Sequence, residues 1–171
     1  DAQIEQFQIG YSPGGRNVLK DYLINQGFTD EVLIEAGLVI KPDDGSASYD
    51  RFRNRIMFPI FGARDRVIAF GGRALDPNAR AKYLNSPETP LFHKGSVLYN
   101  FTAARMAAAE DKAPLIVCEG YMDVIALCEA GFGHAVAPLG TALTEEQLGL
   151  LWRAGPEPVL CFDGDRAGLG A

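Results

Sequence analysis

Cysteine and histidine are scarce in this sequence, and their spacing does not suit a structural zinc site or a disulfide framework. There are three cysteines and two histidines in 171 residues, and no two cysteines form a CxxC pair. An odd number of widely spaced cysteines argues against structural disulfides. We therefore expect Cys118, Cys128 and Cys161 to be free thiols in a reducing cytoplasm, with Cys118 and Cys161 in buried strands.

Long apolar runs are also missing. The longest, such as residues 114–118, fall far short of the ~20 residues that a membrane-spanning helix needs. No signal-peptide pattern is visible in the first residues given, and a leader could lie outside this fragment. Both ends are interpreted as boundaries within a longer protein.

Residues 11–15 are rich in glycine but lack the Lys-Ser/Thr of a P-loop, so they predict a turn. A nucleophile elbow is absent as well.

The charges are distributed very unevenly along the chain. The net charge is −6, yet residues 51–105 hold ten basic and only three acidic side chains. That stretch therefore carries an excess of seven positive charges, and the remainder carries an excess of thirteen negative charges. A basic segment within an acidic chain indicates an anionic partner, such as nucleic acid, for that segment.

The hydrophobic pattern predicts an α/β protein (α+β overall) in two parts. Residues 1–110 contain short helices and β-type runs around a turn at 62–65, which predicts a mixed subdomain with a small antiparallel sheet. Residues 111–171 alternate short apolar strands with helices, which predicts a Rossmann-like parallel sheet with flanking helices. Thr29 and Thr144 are the expected N-caps of two helices. Residues 41–50 are polar and predict a loop.

Acidic side chains follow two of the predicted parallel strands. Glu119 comes after one strand, and Asp163 and Asp165 come after another. Because ligands bind outside the carboxyl ends of strands in such sheets, these carboxylates are expected at one edge. Converging carboxylates repel one another unless a divalent cation neutralises them, and Mg²⁺ (or Mn²⁺) prefers oxygen ligands. Any one of these acids alone could instead cap a helix, as could Asp123.

The basic residues allow two interpretations as well. Arg55 and Arg73 lie where apolar strand runs begin or end, and an arginine held there can grip a phosphate group through two bonds. Lys82 and Lys94 could add positive charges along the same phosphate-binding surface. A plain solvated face is the alternative for such residues. Aromatic residues among them, such as Tyr83, are expected in the core but could also stack on bases.

Several motifs together carry a family resemblance. The stretches that carry it are EGYMD at 119–123, LGT at 139–141, FDGDRAG at 162–168, RFRNRIMFP at 51–59, FGGR at 70–73 and KYLNSPETPLFHKG at 82–95. The first three resemble the Toprim fold that primases, topoisomerases and some nucleases share. The last three resemble the polymerase core of the bacterial DnaG-type primases. The likeness runs from about residue 8 to the end.

The resemblance implies residue roles. Glu119 matches the glutamate assigned to metal binding and acid–base chemistry, and Asp163 and Asp165 match the metal-binding DxD motif. Asp123 is implied to lie near the metal. Positions that hold template or nucleotide phosphates are matched by Arg73, Lys82, Asn85 and Lys94. The implied domains are a basic subdomain at 1–110 and a truncated Toprim domain at 111–171.

The resemblance also implies an activity and its partners. The activity is metal-assisted synthesis of RNA primers from ribonucleoside triphosphates on single-stranded DNA, in the cytoplasm at replication forks near the nucleoid. The family's zinc module and its helicase-interaction domain fall outside this chain, and so does a further acidic pair. The chain alone is therefore expected to be inactive. The alternatives are a Toprim nuclease or topoisomerase-like protein, and a non-catalytic module that binds single-stranded DNA or a nucleotide.

Overall fold

The computed structural model describes residues 2–140, 142–155 and 157–164. The helices are α1 Ala2–Gln6, α2 Val18–Asn25, α3 Asp30–Glu35, α4 Phe101–Asp111, α5 Tyr121–Glu129 and α6 Glu145–Ala154. The strands are β1 Gly10–Ser12, β2 Val39–Ile40, β3 Tyr49–Asp50, β4 Arg55–Phe61, β5 Val67–Ala74, β6 Tyr83–Asn85, β7 Ile116–Val117, β8 Ala135–Val136 and β9 Val159–Leu160. Lys94–Ser96 forms a 3-10 turn.

The chain divides into two compact units. The first unit comprises Asp1–Pro59 and Val67–His93, and the second comprises Ile60–Arg66 and Lys94–Ala171. The predicted domain boundary between residues 110 and 111 remains a proposal. None of the helices in the described ranges has the length and apolar character that a bilayer crossing requires.

A four-stranded sheet has the order β1-β4-β5-β6, and β4, β5 and β6 come from the basic segment. β1 pairs antiparallel with β4, and β6 pairs antiparallel with β5. The antiparallel sheet predicted for this part is confirmed. The turn predicted for residues 11–15 is partly wrong, because Tyr11 and Ser12 pair with Ile56 and Arg55. Ladder hydrogen bonds to a distant strand override the local turn preference of this segment.

The loop predicted for residues 41–50 is also partly wrong at its end. Tyr49 and Asp50 form β3, which pairs antiparallel with β2. Asp50 is only 2% exposed, and its carboxylate accepts the backbone N–H groups of Leu19 and Lys20 at 2.8 and 2.9 Å. A carboxylate at a helix N-terminus satisfies donors that have no partner within the helix. β3 therefore supplies the cap of α2 from 30 residues away along the chain.

The second unit contains a three-stranded sheet with the order β8-β7-β9, in which both pairings are parallel. This confirms the predicted parallel sheet with flanking helices. Leu115, Val117 and Val136 pack with α4 and α6 in its core. Thr144 caps α6 by accepting the N–H of Gln147, as predicted.

One burial prediction for this sheet is wrong. Cys118 is buried, but Cys161 is exposed, as are Val159 at 48% and Leu160 at 57%. β9 lies at the edge of the described sheet, so a neighbouring strand covers it on one side only. Apolar character at these positions indicates strand structure correctly but not burial.

Candidate functional site

The carboxyl ends of β7 and β9 bring two predicted site residues together. The two strands are aligned so that Val117 lies opposite Leu160, which places Glu119 and Asp163 just beyond their ends. The backbone N–H of Asp163 donates a hydrogen bond of 2.8 Å to Oε1 of Glu119. Glu119 is half-buried and Asp163 is exposed. Two predicted acidic residues from separate strand ends therefore lie next to each other at one accessible edge. Convergence of their two carboxylates on a metal ion stays a prediction.

The other two predicted acidic residues are Asp123 and Asp165. Asp123 is exposed, and its Oδ2 accepts the backbone N–H of Gly120 at 2.9 Å. This bond supports the capping interpretation at the start of α5, and a metal-binding role for Asp123 stays a prediction. Asp165, like Thr141 of the LGT motif, lies outside the described residues. Within the described ranges, no group of three or more His, Cys, Asp or Glu residues is arranged to hold a metal ion.

The turn that carries Lys94 lies at the same edge as the two acids. Tyr99 pairs antiparallel with Ala137, the residue directly after β8. Because the chain runs opposite to β8 at this point, the residues that precede Tyr99 lie beyond the carboxyl end of β8. Lys94 is half-buried there, so one cationic residue of the predicted set shares this sheet edge with Glu119 and Asp163.

The remaining predicted basic and polar residues lie in the first unit, and they fall on two faces of its sheet. The register pairs Arg73 with Tyr83 and Gly71 with Asn85. Side chains of directly opposed residues share a face, and every second residue along a strand does too. Arg73, Tyr83 and Asn85 therefore line one face. Lys82 precedes Tyr83 on the other side of the strand, but its Nζ lies 5.9 Å from the ring centre of Tyr83.

Arg55 acts mainly in the structure, because it binds backbone carbonyl groups of neighbouring segments. Its guanidinium donates to the carbonyl oxygens of Gly72 at 3.2 Å, Lys82 at 3.3 Å and Ala81 at 3.0 Å. Partial burial lowers the pKa of Arg55, and the nearby charge of Arg53 lowers it further. A guanidinium that is engaged by three carbonyl groups has few donors left for a phosphate. Phosphate binding by Arg55 stays a prediction, and the contacts support the structural role first.

A cationic cluster that the sequence patterns did not indicate lies near β3. The guanidinium carbons of Arg16 and Arg53 lie 4.7 and 4.9 Å from the ring centre of Tyr49. Both arginines are exposed. A loop contact holds the two segments together, because the N–H of Asn54 donates to the carbonyl of Pro13 at 3.2 Å. Tyr49 thus places two positive charges side by side on the surface.

Comparisons with known proteins identify the family of both parts of the chain. The Toprim domain model matches residues 113–171, the part that holds the parallel sheet and its acidic edge. The model of the DNA primase catalytic core, N-terminal domain, matches residues 1–105, which is more than half of the chain. The chain belongs to the family of DNA primase catalytic cores.

Curated relatives and solved structures extend the match over nearly the whole chain. The chain is 49% identical over 162 residues to the DNA primase of Pseudomonas putida, covering 95% of this chain and 24% of that protein. It is 50% identical over 169 residues to the DNA primase of Escherichia coli K12, covering 98% and 28%. The chain thus spans about a quarter of the length of these relatives.

Two solved structures show the same fold. A DNA primase domain from Pseudomonas aeruginosa aligns with a TM-score of 0.91 at 45% identity, covering 99% of this chain and 52% of that one. The structure of a DnaG primase catalytic domain bound to single-stranded DNA aligns with a TM-score of 0.83 at 46% identity, with the same coverage. Together with the family models, these alignments confirm the fold class and the resemblance predicted from sequence.

Proposed function

We propose that this chain is the part of a bacterial primase core that joins ribonucleotides into short RNA primers on single-stranded DNA. The observation that carries the proposal is the meeting of Glu119 and Asp163 at the carboxyl edge of a parallel sheet, joined by a hydrogen bond of 2.8 Å. The match of residues 1–105 to the primase catalytic core supports this function over a Toprim nuclease or topoisomerase-like protein. The DNA-bound relative supports a single-stranded DNA partner.

Toprim-domain primases are in general metal-dependent, and the residues present fit a divalent cation. Glu119 and Asp163 are hard oxygen donors at one accessible edge, which is the ligand chemistry that Mg²⁺ or Mn²⁺ prefers. We propose Asp165 as a third ligand, and Asp123 as a residue beside the site. When bound, such an ion stabilises the negative charge that develops on phosphate oxygens during nucleotidyl transfer.

The protein's own groups then account for the rest of the reaction. The 3′-hydroxyl oxygen of the primer forms a bond to the α-phosphorus of the incoming ribonucleotide, and the bond to pyrophosphate breaks. We assign Glu119, whose carboxylate lies at this accessible edge, the role of proton acceptor. Lys94, at the same edge, neutralises charge on the phosphates. No covalent bond between protein and nucleotide is needed.

The first unit supplies the cationic surface for template and nucleotide in this proposal. Arg73 and Asn85 share a face with the exposed ring of Tyr83, a combination suited to a phosphate and a stacked base. Nε of Arg73 is buried and has no hydrogen-bond partner among the described residues. A bound phosphate oxygen near this guanidinium would offset part of the cost of that unpaired donor. We propose Lys82, whose Nζ lies 5.9 Å from the ring centre of Tyr83, as a further phosphate contact. The pair of Arg16 and Arg53 on Tyr49 provides a second contact for an anionic group of the template or nucleotide.

The setting of this activity follows from the same proposal. The partners are a single-stranded template, ribonucleoside triphosphates and a replicative helicase, the last through a domain outside this chain. A zinc ion is expected only in a separate module of the complete protein. We place the complete enzyme in the bacterial cytoplasm, at replication forks beside the nucleoid. The proposed functional division is a basic subdomain at 1–110 and a Toprim domain at 111–171.

The experiment is primer synthesis by the complete enzyme with Asp163→Asn and Glu119→Gln. We expect both variants to lose synthesis almost entirely while keeping their circular dichroism spectra and melting temperatures. Asp43→Asn and Glu129→Gln remove the same charges at exposed positions and should behave as wild type. Full synthesis by Asp163→Asn would refute the assignment. Cleavage of DNA by the wild type without any synthesis would instead favour the nuclease.

A further inference from the structure

Gln147 is the most deeply buried polar residue of the second unit, and its contacts reach the turn that carries Lys94. Gln147 has 0% exposure. Its Nε2 donates to the carbonyl oxygens of Lys94 at 3.2 Å and Val97 at 2.8 Å. Its Oε1 accepts the N–H of Thr144 at 3.1 Å. Every hydrogen-bonding group of this amide is therefore engaged.

Thr144 makes a related contact. Its Oγ1 donates to the carbonyl of Gly95 while accepting the N–H of Gln147 at 3.1 Å. A capping box normally closes only its own helix end. Here both of its side chains also bind the chain at positions 94–97, so the first turn of α6 holds three carbonyl groups of that segment.

These bonds bear on the proposed site because of where they lie. The segment before Tyr99 runs beyond the carboxyl end of β8, and α6 begins at the same edge of the sheet. The turn at Lys94–Ser96 is too short to fix its own geometry. The three bonds from α6 hold its backbone against the helix, and the direction of the Lys94 side chain depends on that backbone.

We propose that Gln147 and Thr144 are positioning residues for primer synthesis, which act by holding the Lys94 turn so that its ammonium group meets phosphate at the acidic edge. The inference rests on the proposed function. It adds that the side-chain amide of Gln147, which does not contact the substrate, determines how efficiently Lys94 binds phosphate. Displacement of a binding group by about 1 Å can cost up to about a hundredfold in efficiency, so the effect should be measurable.

The test uses Gln147→Glu in the complete enzyme. This isosteric change keeps an oxygen acceptor for the N–H of Thr144, and in its ionised form it has no donor for the carbonyl groups of the Lys94 turn. Lys94→Ala is measured beside it, and the two changes are combined. Kinetics with ribonucleotides (kcat and KM) and the Kd for single-stranded DNA distinguish a nucleotide phosphate from a template phosphate as the ligand of Lys94.

We expect Gln147→Glu to change the same parameter as Lys94→Ala, in the same direction, by about threefold to tenfold. In the combined variant, Gln147→Glu should have almost no further effect, because its influence passes through Lys94. Thr144→Val should shift that parameter too, and Thr144→Ser should restore it. Glu146→Gln is the matched control on the same helix, exposed and expected to be neutral.

The melting temperature of each variant shows whether a change in activity comes from unfolding or from altered positioning of Lys94. Gln147→Met, of similar shape but without polar atoms, serves as the second variant if Gln147→Glu does not fold. Additive effects of position 147 and Lys94, or changes in different parameters, would overturn the inference. If Lys94→Ala is neutral while Asp163→Asn is inactive, the inference fails and the proposed function stands. If the wild type neither binds DNA nor makes primers, both fail.

Discussion

The carboxylate of Glu119 accepts the backbone N–H of Asp163 at 2.8 Å, across 44 positions of the chain. The contact exists because β7 and β9 are neighbours in a parallel sheet and end at the same level. This bond links the ends of the two aligned strands and orients the carboxylate of Glu119 toward the second acidic motif. The predictions below test the parts of the structure that hold this edge and the cationic surface in place.

The first prediction concerns the cap that β3 supplies to α2. Asp50→Ala should lower the free energy of unfolding by about 2–4 kcal/mol, because two N–H groups lose a charged acceptor in a buried place. Urea denaturation followed by circular dichroism measures this. Asp43→Ala, at an exposed loop position, should change the stability by less than about 0.5 kcal/mol. Equal stabilities of the two variants would contradict the role of Asp50.

The second prediction concerns the close approach of side chains to β5. A Cβ atom on Gly72 would lie 2.9 Å from the ring of Phe52 and 3.0 Å from Cδ of Arg55. Gly72→Ala should therefore cost about 1–3 kcal/mol of stability by overpacking. Gly10→Ala is the control, because its Cβ would meet Met57 at an ordinary 3.8 Å. A Gly72→Ala variant as stable as Gly10→Ala would show that Arg55 does not occupy that face.

The third prediction concerns thiol reactivity. Burial raises the pKa of Cys118 to about 12 and also raises that of Cys128. Only the thiolate reacts, so at pH 8 both should be alkylated much more slowly than the exposed Cys161. Because the two pKa values are raised, their rates should increase as the pH rises. Mass spectrometry after timed labelling with iodoacetamide gives the order, and Cys118 reacting as fast as Cys161 would contradict it.

The fourth prediction concerns the arginine pair on Tyr49. Arg53→Ala in the complete enzyme should weaken binding to single-stranded DNA and lower the salt dependence of log K by about 0.7, the slope per phosphate contact. Arg64→Ala removes the same charge from an exposed turn and should leave both quantities unchanged. Fluorescence anisotropy over a series of salt concentrations gives both. Identical behaviour of the two variants would remove the cluster from the interface.

Local patterns in the sequence were sufficient for much of the fold. Thr29 and Thr144 cap helices as predicted, since a cap depends on neighbours three residues away. The alternation of strand and helix after residue 111 predicts the parallel sheet, and the parallel sheet in turn predicts the meeting of Glu119 and Asp163. These inferences need only the local spacing of apolar residues and the rule that ligands bind at the carboxyl ends of parallel strands.

What the sequence did not reveal depends on long-range contacts. Asp50 reaches Leu19 across 31 positions, and Gln147 reaches Val97 across 50. Asp50 belongs to no short motif, and the capping box that contains Gln147 indicates only Thr144 as a partner. Nothing in either neighbourhood therefore marks the distant contact. The pairing of β1 with β4 spans a similar distance and overrode a local turn preference. Arg16 and Arg53 likewise meet only because separate segments converge on Tyr49.

The central claim is that acids from two strand ends share a divalent ion. A crystal of the complete catalytic core soaked in Mn²⁺, with anomalous diffraction data, tests this most directly. The account predicts an anomalous peak within coordination distance of carboxylate oxygens of both Glu119 and Asp163, and no such peak in the Asp163→Asn variant. A Mn²⁺ peak bound elsewhere, with Glu119 and Asp163 in contact with no ion at saturating concentration, would contradict it.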